Sequence, residues 1–241
     1  MNILLITNDW KPKTGGISTY LRSLVENLDH KFFIYGPSWI EGNDAYPAAD
    51  TFIINPRKVF EDIQKIVNDN QIDIILHGSS NPNFLFVNKL NTLNVPSSPK
   101  NVKIPQYMIC HGAEFNVLNY IPIVRNLLSR NLDNLNTIFT VSEFSRKKLV
   151  DITDTEIINI GAGIEIPNYE NNYENNVPLT IGVVSRLVSR KKISWLIDVA
   201  HDLKEEGLPI ELKILGFGKQ ENYLKKLSSV SAANVTFIKE E

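Results

Sequence analysis

Residues 1–28 read MNILLITNDWKPKTGGISTYLRSLVENL, and this stretch decides the fold class. Ile3 to Ile6 form a continuous apolar run, which is typical of a parallel strand buried on both faces. A polar loop follows and ends at Gly15–Gly16. Beyond the glycines, apolar residues recur at helical spacing from Ile17 to Leu28. A strand, a loop and a helix in this order predict the first half of a βαβ unit.

The same alternation continues along the chain. We predict further strands at residues 32–35, 72–76, 104–110, 137–141, 156–160, 179–184, 210–215 and 235–238, of which 179–184 is apolar enough to be a second buried strand. Predicted helices cover residues 59–70, 84–93, 120–132, 143–150, 193–206 and 220–228, and Ser142 is the expected N-cap of the fourth. The alternation indicates a parallel sheet with helices on both faces. Because ligands of such sheets bind at the carboxyl ends of the strands, we expect the chemistry after Ile6, Cys110 and Val141.

A polar repeat divides the chain. Residues 168–176 read NYENNYENN, which lacks the periodicity of a helix or strand, so we interpret residues 168–177 as an interdomain linker. The strand and helix pattern then begins again. We therefore predict a domain at 1–167 and a second, incomplete domain at 178–241.

Composition excludes several classes of protein. Of the 241 residues, 43% are hydrophobic and 22% charged, which is typical of a folded globular chain. The net charge of -2 gives no support for nucleic-acid binding. A single cysteine, Cys110, permits no internal disulfide and favours a reducing, cytoplasmic location. We found no grouping of histidines that predicts a metal site.

Three features have residues suited to chemistry, and each has a second interpretation. Gly15–Gly16 open a helix, where free N–H groups attract phosphate or carboxylate, but they also suit a simple flexible turn. The run from Arg186 to Lys192 contains four cations after a strand, which predicts either an anion site or a solvated basic loop. His111 follows a strand, where it could contact a sugar hydroxyl or have a structural role only. The fingerprint of nicotinamide and flavin enzymes, Gly-x-Gly-x-x-Gly after the first strand, is absent.

Taken in order, the motifs resemble one family. They are Gly15-Gly16-Ile17, His111-Gly112-Ala113-Glu114, Thr140-Val141-Ser142-Glu143-Phe144-Ser145, Ile160-Gly161-Ala162-Gly163-Ile164, Arg186-Leu187-Val188 with Lys191, and Leu215-Gly216-Phe217-Gly218. This series is similar to the retaining group 1 glycosyltransferases (family 4), which have the GT-B architecture of two Rossmann-like domains. The resemblance extends along nearly the whole chain.

The resemblance implies a role for each domain. The first, 1–167, would be the acceptor-side domain, and 178–241 would be part of the domain that binds the donor nucleotide. It implies that Gly15, Gly16, Glu114, Arg186, Lys191, Gly216 and Gly218 bind the donor, with His111 the catalytic residue near the transferred sugar. No cofactor and no metal are implied, because the nucleotide-sugar is a substrate and cations meet the charge of the leaving group.

The chain departs from the family pattern at three places. Ser185 and Lys192 stand where the family usually has glycine. The family's paired-glutamate motif lies further on than Glu241, so we expect a chain truncated within the donor domain. The first functional hypothesis is a fragment of an enzyme that transfers a sugar, with retention, to a polysaccharide or glycolipid. The alternative is an inactive, truncated homologue that binds a nucleotide or a partner. An epimerase or phosphorylase fits these motifs less well.

The predicted helix at 120–132 allows two interpretations. It combines Leu127, Leu128 and Leu132 with Arg125 and Arg130, and a basic amphipathic helix can lie on an anionic membrane. The same pattern is typical of a surface helix packed on its own domain. We therefore expect a cytoplasmic protein with a nucleotide-sugar donor and a carbohydrate or lipid-linked acceptor as partners, and with a possible peripheral membrane contact through this helix.

Overall fold

The computed structural model describes residues 1–48, 55–112, 122–163, 166 and 179–238. The chain divides into two compact units, Met1–Glu165 and Ile166–Glu241, called the first unit and the second unit below. The predicted linker at 168–177 lies outside the described residues. The predicted domain limits at 167 and 178 therefore remain predictions.

The first unit is an α/β fold. Its described strands are β1 (Asn2–Ile6), β2 (Lys31–Gly36), β3 (Ala45–Pro47), β4 (Ile74–His77), β5 (Gln106–Cys110), β6 (Thr137–Thr140) and β7 (Ile157–Asn159). Its described helices are α1 (Gly16–Asn27), α2 (Pro56–Asp69), α3 (Val87–Leu90), α4 (Pro122–Leu132) and α5 (Glu143–Leu149), with a 3-10 turn at Asn83–Leu85. The strands pair in parallel in the order β3-β2-β1-β4-β5-β6-β7. Since the order reverses between β1 and β4, the sheet is doubly wound with its switch point there.

Strand β1 lies between two hydrophobic cores. Leu4 and Ile6 belong to the core that α2 covers, whereas Ile3 and Leu5 face the opposite core, which contains Leu21 of α1. All four β1 side chains are buried. The prediction of a strand buried on both faces is confirmed here.

Two helices of the first unit begin where a residue next to the first turn caps them. Ser142 caps α5 as predicted, because its Oγ accepts a hydrogen bond from the backbone N of Ser145 at 3.2 Å. Helix α2 begins three residues before the predicted Val59, since Asn55 accepts from Lys58 N at 3.1 Å and Pro56 suits the first turn.

The prediction of one continuous helix at 84–93 is wrong. The chain forms the 3-10 turn at Asn83–Leu85 and then the short α3. Phe84 and Phe86 are both buried, but they enter different hydrophobic clusters. Side chains two residues apart point to nearly opposite sides of an α-helix, so a regular helix could not bury both on one face.

The second unit is a smaller parallel sheet. It contains β8 (Leu179–Val184), β9 (Ile210–Leu215) and β10 (Asn234–Ile238), paired in the order β10-β9-β8, with α6 (Ile193–Glu205), α7 (Glu221–Ser228) and a 3-10 turn at Ser189–Lys191. Its core is formed by apolar side chains from both helices and β9, including Ile197, Leu212, Ile214 and Leu224. The predicted strands and helices of this unit are confirmed to within one residue at each end.

The predicted burial of β8 is wrong. Leu179 is 64% exposed and Val184 is 81% exposed. Within residues 179–238, β8 pairs with β9 alone and is an edge strand of the sheet. Its apolar sequence is typical of a central strand, but the described residues cover only part of its surface.

Candidate functional site

Hydrogen bonds join two loops at the carboxyl edge of the first sheet, at its switch point. The loops after β1 and β4 meet there, since Ser79 Oγ donates to Asn8 Oδ1 at 3.1 Å and Gly78 N donates to Ile6 O at 2.8 Å. Asn83, which is fully buried, donates through Nδ2 to Ile6 O at 2.9 Å. These bonds fix the backbone around the crevice in which doubly wound sheets bind ligands.

His111 lies at this edge, directly after β5. Its Nε2 is 3.0 Å from the carbonyl oxygen of Gly78. Because a carbonyl oxygen only accepts, Nε2 is the protonated nitrogen of the neutral ring. Burial lowers the pKa of His111, while the Gly78 bond and the charge of Asp9 act in the opposite direction. Burial thus favours the neutral form of the ring, which is suited to hydrogen bonding with a hydroxyl group.

Tyr20 connects His111 to the start of α1. The two rings meet edge to face, with centroids 5.4 Å apart. Tyr20 lies four residues after Gly16, on the same side of the helix. The structure thus brings His111 to the first turn of α1, where two of the predicted donor-binding glycines lie.

Gly15 and Gly16 face open space. Gly15 is the N-cap of α1, with extended backbone angles and no side-chain cap bond. A Cβ at either glycine would meet no described atom within 4 Å. The N–H groups of the first turn have no acceptor within their helix, so they form a binding surface for an anion or a hydroxyl oxygen.

Gly112, directly after His111, lies against the motif that begins α5. Its φ is +90°, and a Cβ there would overlap Ser145 Oγ. Ser145 is buried and 2.9 Å from Ser142 in the motif that begins α5. Ser145 of that motif is therefore a packing partner of Gly112. The sequence did not reveal this contact. The predicted donor-binding residue Glu114 lies outside the described residues.

The second unit presents its cations at the carboxyl edge of β8. Arg186 and Lys191 are exposed, and neither takes part in an ion pair with any residue in the described ranges. The loop after β9 supports this segment, since Leu187 N donates to Phe217 O at 2.9 Å. Exposed cations at a strand-to-helix junction are accessible to an anion at the carboxyl edge of the sheet.

Gly216 and Gly218 allow the two loops to touch. A Cβ on Gly216 would overlap the carbonyl oxygen of Ser185, and one on Gly218 would overlap that of Leu187. The structure therefore places both predicted donor-binding glycines against the backbone on either side of Arg186. Gly216 also lines a cavity of about 460 Å³ at this edge, together with Leu215, Phe217, Glu221, Lys225, Phe237 and Ile238. A cavity of this size is large enough for a nucleoside.

Sequence reasoning missed the residues that hold His111 in place. Tyr20 was visible only as one apolar member of a helical stripe, and Gly78 only as part of a loop. Asp9, three residues after the end of β1 in a polar loop, was the one signal that could have indicated a charge near the site.

In the described ranges, no group of three His, Cys, Asp or Glu residues is placed to hold a metal ion. No described helix combines the length and apolarity needed to cross a bilayer.

Similar proteins are found among curated sequences. The chain is 22% identical over 94% of its length to a GDP-mannose-dependent alpha-(1-6)-phosphatidylinositol monomannoside mannosyltransferase of Mycobacterium tuberculosis. A protein of the same name from Mycolicibacterium smegmatis is 21% identical over 94% of the chain. The chain spans 63% and 64% of the length of these two relatives. No model of a known protein family matches it.

Solved structures share the fold. The lipopolysaccharide outer core galactosyltransferase WaaB matches 100% of this chain and 68% of its own with a TM-score of 0.65, at 12% identity. HepE of Anabaena, solved with UDP and glucose, matches 98% of this chain and 68% of its own with a TM-score of 0.60, at 15% identity. TarM matches 76% of this chain and 36% of its own with a TM-score of 0.57, at 19% identity. The chain therefore has the α/β fold of the GT-B glycosyltransferases.

Proposed function

We propose that this chain is part of a glycosyltransferase that moves a sugar from a nucleotide-sugar to a polysaccharide or glycolipid acceptor with retained configuration. The observation that supports it most is the pair of exposed cations, Arg186 and Lys191, in the segment after β8, whose backbone at Ser185 meets Gly216 at the lining of the cavity. The curated relatives are named for transfer from GDP-mannose to a phosphatidylinositol mannoside, so GDP-mannose is the first donor to test.

In this proposal the second unit binds the nucleotide. The cavity at Gly216 would hold the nucleoside, and Arg186 and Lys191 would bind the diphosphate. Sugar transfer leaves negative charge on the departing diphosphate, and fixed cations stabilise that charge more in the transition state than in the donor. This difference is what would accelerate the reaction.

The first unit would bind the transferred sugar and the acceptor. His111, neutral and fixed by Gly78, would hydrogen-bond a hydroxyl of the transferred sugar. The N–H groups at Gly15 and Gly16 would add donors on the same side of α1. No nucleophile is evident from the sequence, so we expect the acceptor oxygen to attack the face that the diphosphate leaves, which retains the configuration.

The alternative, an inactive homologue that only binds a nucleotide or partner, is not favoured by the comparisons, since the relatives are named as transferases. Since activity of the isolated 241-residue chain is doubtful if the donor domain is incomplete, the test uses the longer protein of which this chain would be part. Its incubation with GDP-mannose, or with UDP-sugars, and a glycolipid acceptor separates the two. We expect release of the nucleotide and a glycosylated lipid whose anomeric configuration, read by NMR, matches the donor.

His111→Ala should lower the rate at least tenfold if its hydrogen bond forms in the transition state. His30→Ala, at an exposed histidine of the same unit, is the matched control and should leave the rate unchanged. Nucleotide binding without release from any donor would contradict the proposal and favour the alternative.

A further inference from the structure

An exposed indole lies at the carboxyl edge of the first sheet, in the loop after β2. Trp39 is 40% exposed, whereas the next residue, Ile40, is buried in the core on the α1 side of the sheet. Ile40 N donates to Pro37 O at 3.1 Å, which closes a turn around Trp39. Glu41 N donates to Lys11 O at 3.1 Å and joins this loop to the loop after β1. The exposed ring therefore stands on a backbone that is bonded on both sides.

Charged groups of both signs lie beside this ring. The Lys13 ammonium is 5.5 Å from the centre of the Trp39 ring and 2.8 Å from Asp9 Oδ1. A carboxylate only accepts hydrogen bonds and an ammonium only donates them, so the pair can bond both the hydrogen and the oxygen of hydroxyl groups. The negative face of the indole attracts the weakly positive C–H groups on one side of a pyranose ring. A sugar would use the ring and the ion pair together.

The charge of the two loops favours a neutral ligand over an anionic surface. Residues 7–15 and 37–44 contain two lysines and three acids, so these loops have no excess of positive charge. Binding to anionic lipids or to nucleic acid depends on such an excess. A sugar with several hydroxyl groups does not require it.

Trp39 lies apart from His111 along the edge of the sheet. Trp39 follows β2 and His111 follows β5, and the strands between them are ordered β2-β1-β4-β5. Three strand spacings separate the two strand ends by about 14 Å, which is more than the width of one pyranose ring. Lys13 and Asp9 lie between them, since the charge of Asp9 acts on the pKa of His111. Trp39 and His111 would therefore contact different sugars of one glycan.

We propose that Trp39 forms a second sugar subsite in the first unit, which binds a pyranose ring remote from the place of transfer. The indole packs on the C–H face of the ring, and the Asp9–Lys13 pair bonds its hydroxyl groups. The assignment of this ring to an acceptor of more than one sugar rests on the proposed function, whereas the binding of the pyranose does not.

NMR signals of the indole N–H groups in the full chain test the subsite. The chain has three tryptophans, of which Trp10 is buried and Trp195 lies on α6 of the second unit. The probes are the methyl α-glycosides of mannose, glucose, galactose and N-acetylglucosamine. At least one of them should shift the Trp39 signal in a saturable manner and leave the signals of Trp10 and Trp195 in place. Trp39→Phe and Trp195→Phe each remove one signal and so assign all three.

Trp39→Ala should weaken binding of that glycoside about tenfold, because one aromatic contact is lost. Saturation-transfer NMR on the glycoside measures the affinity in each variant, and Trp39→Phe, which keeps a ring, should retain most of it. The matched control is Trp195→Ala, which also removes an exposed indole beside a lysine, with Lys192 Nζ 4.5 Å from the ring centre. This control should bind like the wild type.

The subsite is overturned if none of the four glycosides shifts the Trp39 signal. Equal losses of affinity in Trp39→Ala and Trp195→Ala would also overturn it. A Trp39 signal that GDP shifts and no glycoside shifts would overturn it in favour of a nucleobase site.

Kinetics of the longer protein test the link to the acceptor. Trp39→Ala should raise the KM for an acceptor with two or more sugars and leave kcat unchanged, because a remote contact is equally strong in the ground state and the transition state. The KM for an acceptor with one sugar should not change, and an equal rise for both acceptors would contradict the remote position of the subsite. Glycoside binding without transfer from any donor would contradict the proposed function but support the subsite, so the two failures are distinct.

Discussion

The imidazole of His111 meets the ring of Tyr20 edge-on, at an interplanar angle of 83° and a centroid separation of 5.4 Å. On its other side Nε2 of the same ring is bonded to Gly78 O. Two elements that are distant in sequence, α1 and the loop after β4, therefore fix one side chain at the switch point of the sheet. The orientation of His111 depends on both.

Tyr20→Ala should raise the pKa of His111 toward its ordinary value, because removing the ring exposes the imidazole to water. The rate of sugar transfer should fall up to tenfold, which corresponds to the loss of one aromatic contact. Tyr20→Phe keeps the edge-on contact and should behave like the wild type. An NMR titration of the His111 ring protons measures the pKa, and an unchanged value in Tyr20→Ala would contradict this account.

Stability of the first unit should decrease in mild acid because of His77. This ring is fully buried, with Nε2 3.1 Å from Gln106 Oε1, and burial lowers its pKa from 6.5 to about 4. As the pH falls below 6.5, the unfolded chain gains a proton that the folded chain does not bind. The free energy of unfolding should therefore decrease by up to about 3 kcal/mol between pH 6.5 and 4, and then level off.

The variant that checks the role of His77 is His77→Gln, which keeps a hydrogen-bonding side chain but does not titrate. Urea unfolding at several pH values should give a smaller decrease for the variant than for the wild type. The lowered pKa of His111 contributes in the same direction, so some decrease should persist. Identical slopes for both proteins would show that His77 does not cause the effect.

Gly216→Ala should destabilise the second unit by about 2 kcal/mol or more, because the new Cβ would overlap the carbonyl oxygen of Ser185 and φ there is +144°. Gly182→Ala is the control, since a Cβ at Gly182 meets nothing within 4 Å. Thermal unfolding followed by circular dichroism compares them. Equal melting temperatures would mean that the loops after β8 and β9 are not held together by this contact.

Lys192 has a left-handed backbone, with φ at +55°, at the position where the resembling family usually has glycine. Lys192→Gly should therefore leave stability equal or slightly higher, as relief of strain offsets the greater freedom of the unfolded chain. Lys192→Val should cost about 1 kcal/mol or more, because β-branched side chains disfavour this conformation. Urea midpoints of the three proteins give the order, and a Val variant as stable as the Gly variant would refute it.

The sequence predicted the elements whose signals are local. The apolar run at Ile3–Ile6, the cap at Ser142 and the alternation of strands and helices each reflect short-range chemistry, and these predictions are confirmed. Strand β3 was missed because three residues with a proline give no strand pattern. The burial of β8 was predicted wrongly, because the number of neighbours of a strand is a tertiary property.

The sequence predicted in which loops the candidate residues lie, but not which residues they contact. His111 and Arg186 lie just after strands, and Lys191 lies in the 3-10 turn before α6, within the loops that the sequence indicated. The close approach of Gly216 to Ser185, and of Gly112 to Ser145, joins residues more than thirty positions apart. No local pattern could reveal such contacts, since they depend on which strands are neighbours in the folded sheet.

Binding of GDP and UDP to the chain tests the central claim most directly. Titration calorimetry should detect binding of at least one of these nucleotides to the wild type, and Arg186→Ala with Lys191→Ala should weaken it at least tenfold, since two charge-assisted contacts to the diphosphate are lost. Lys204→Ala, at an exposed cation near the C-terminal end of α6, should bind like the wild type. Equal affinities of the double variant and the wild type, or no binding of either nucleotide, would contradict the assignment of the second unit as a donor-binding unit.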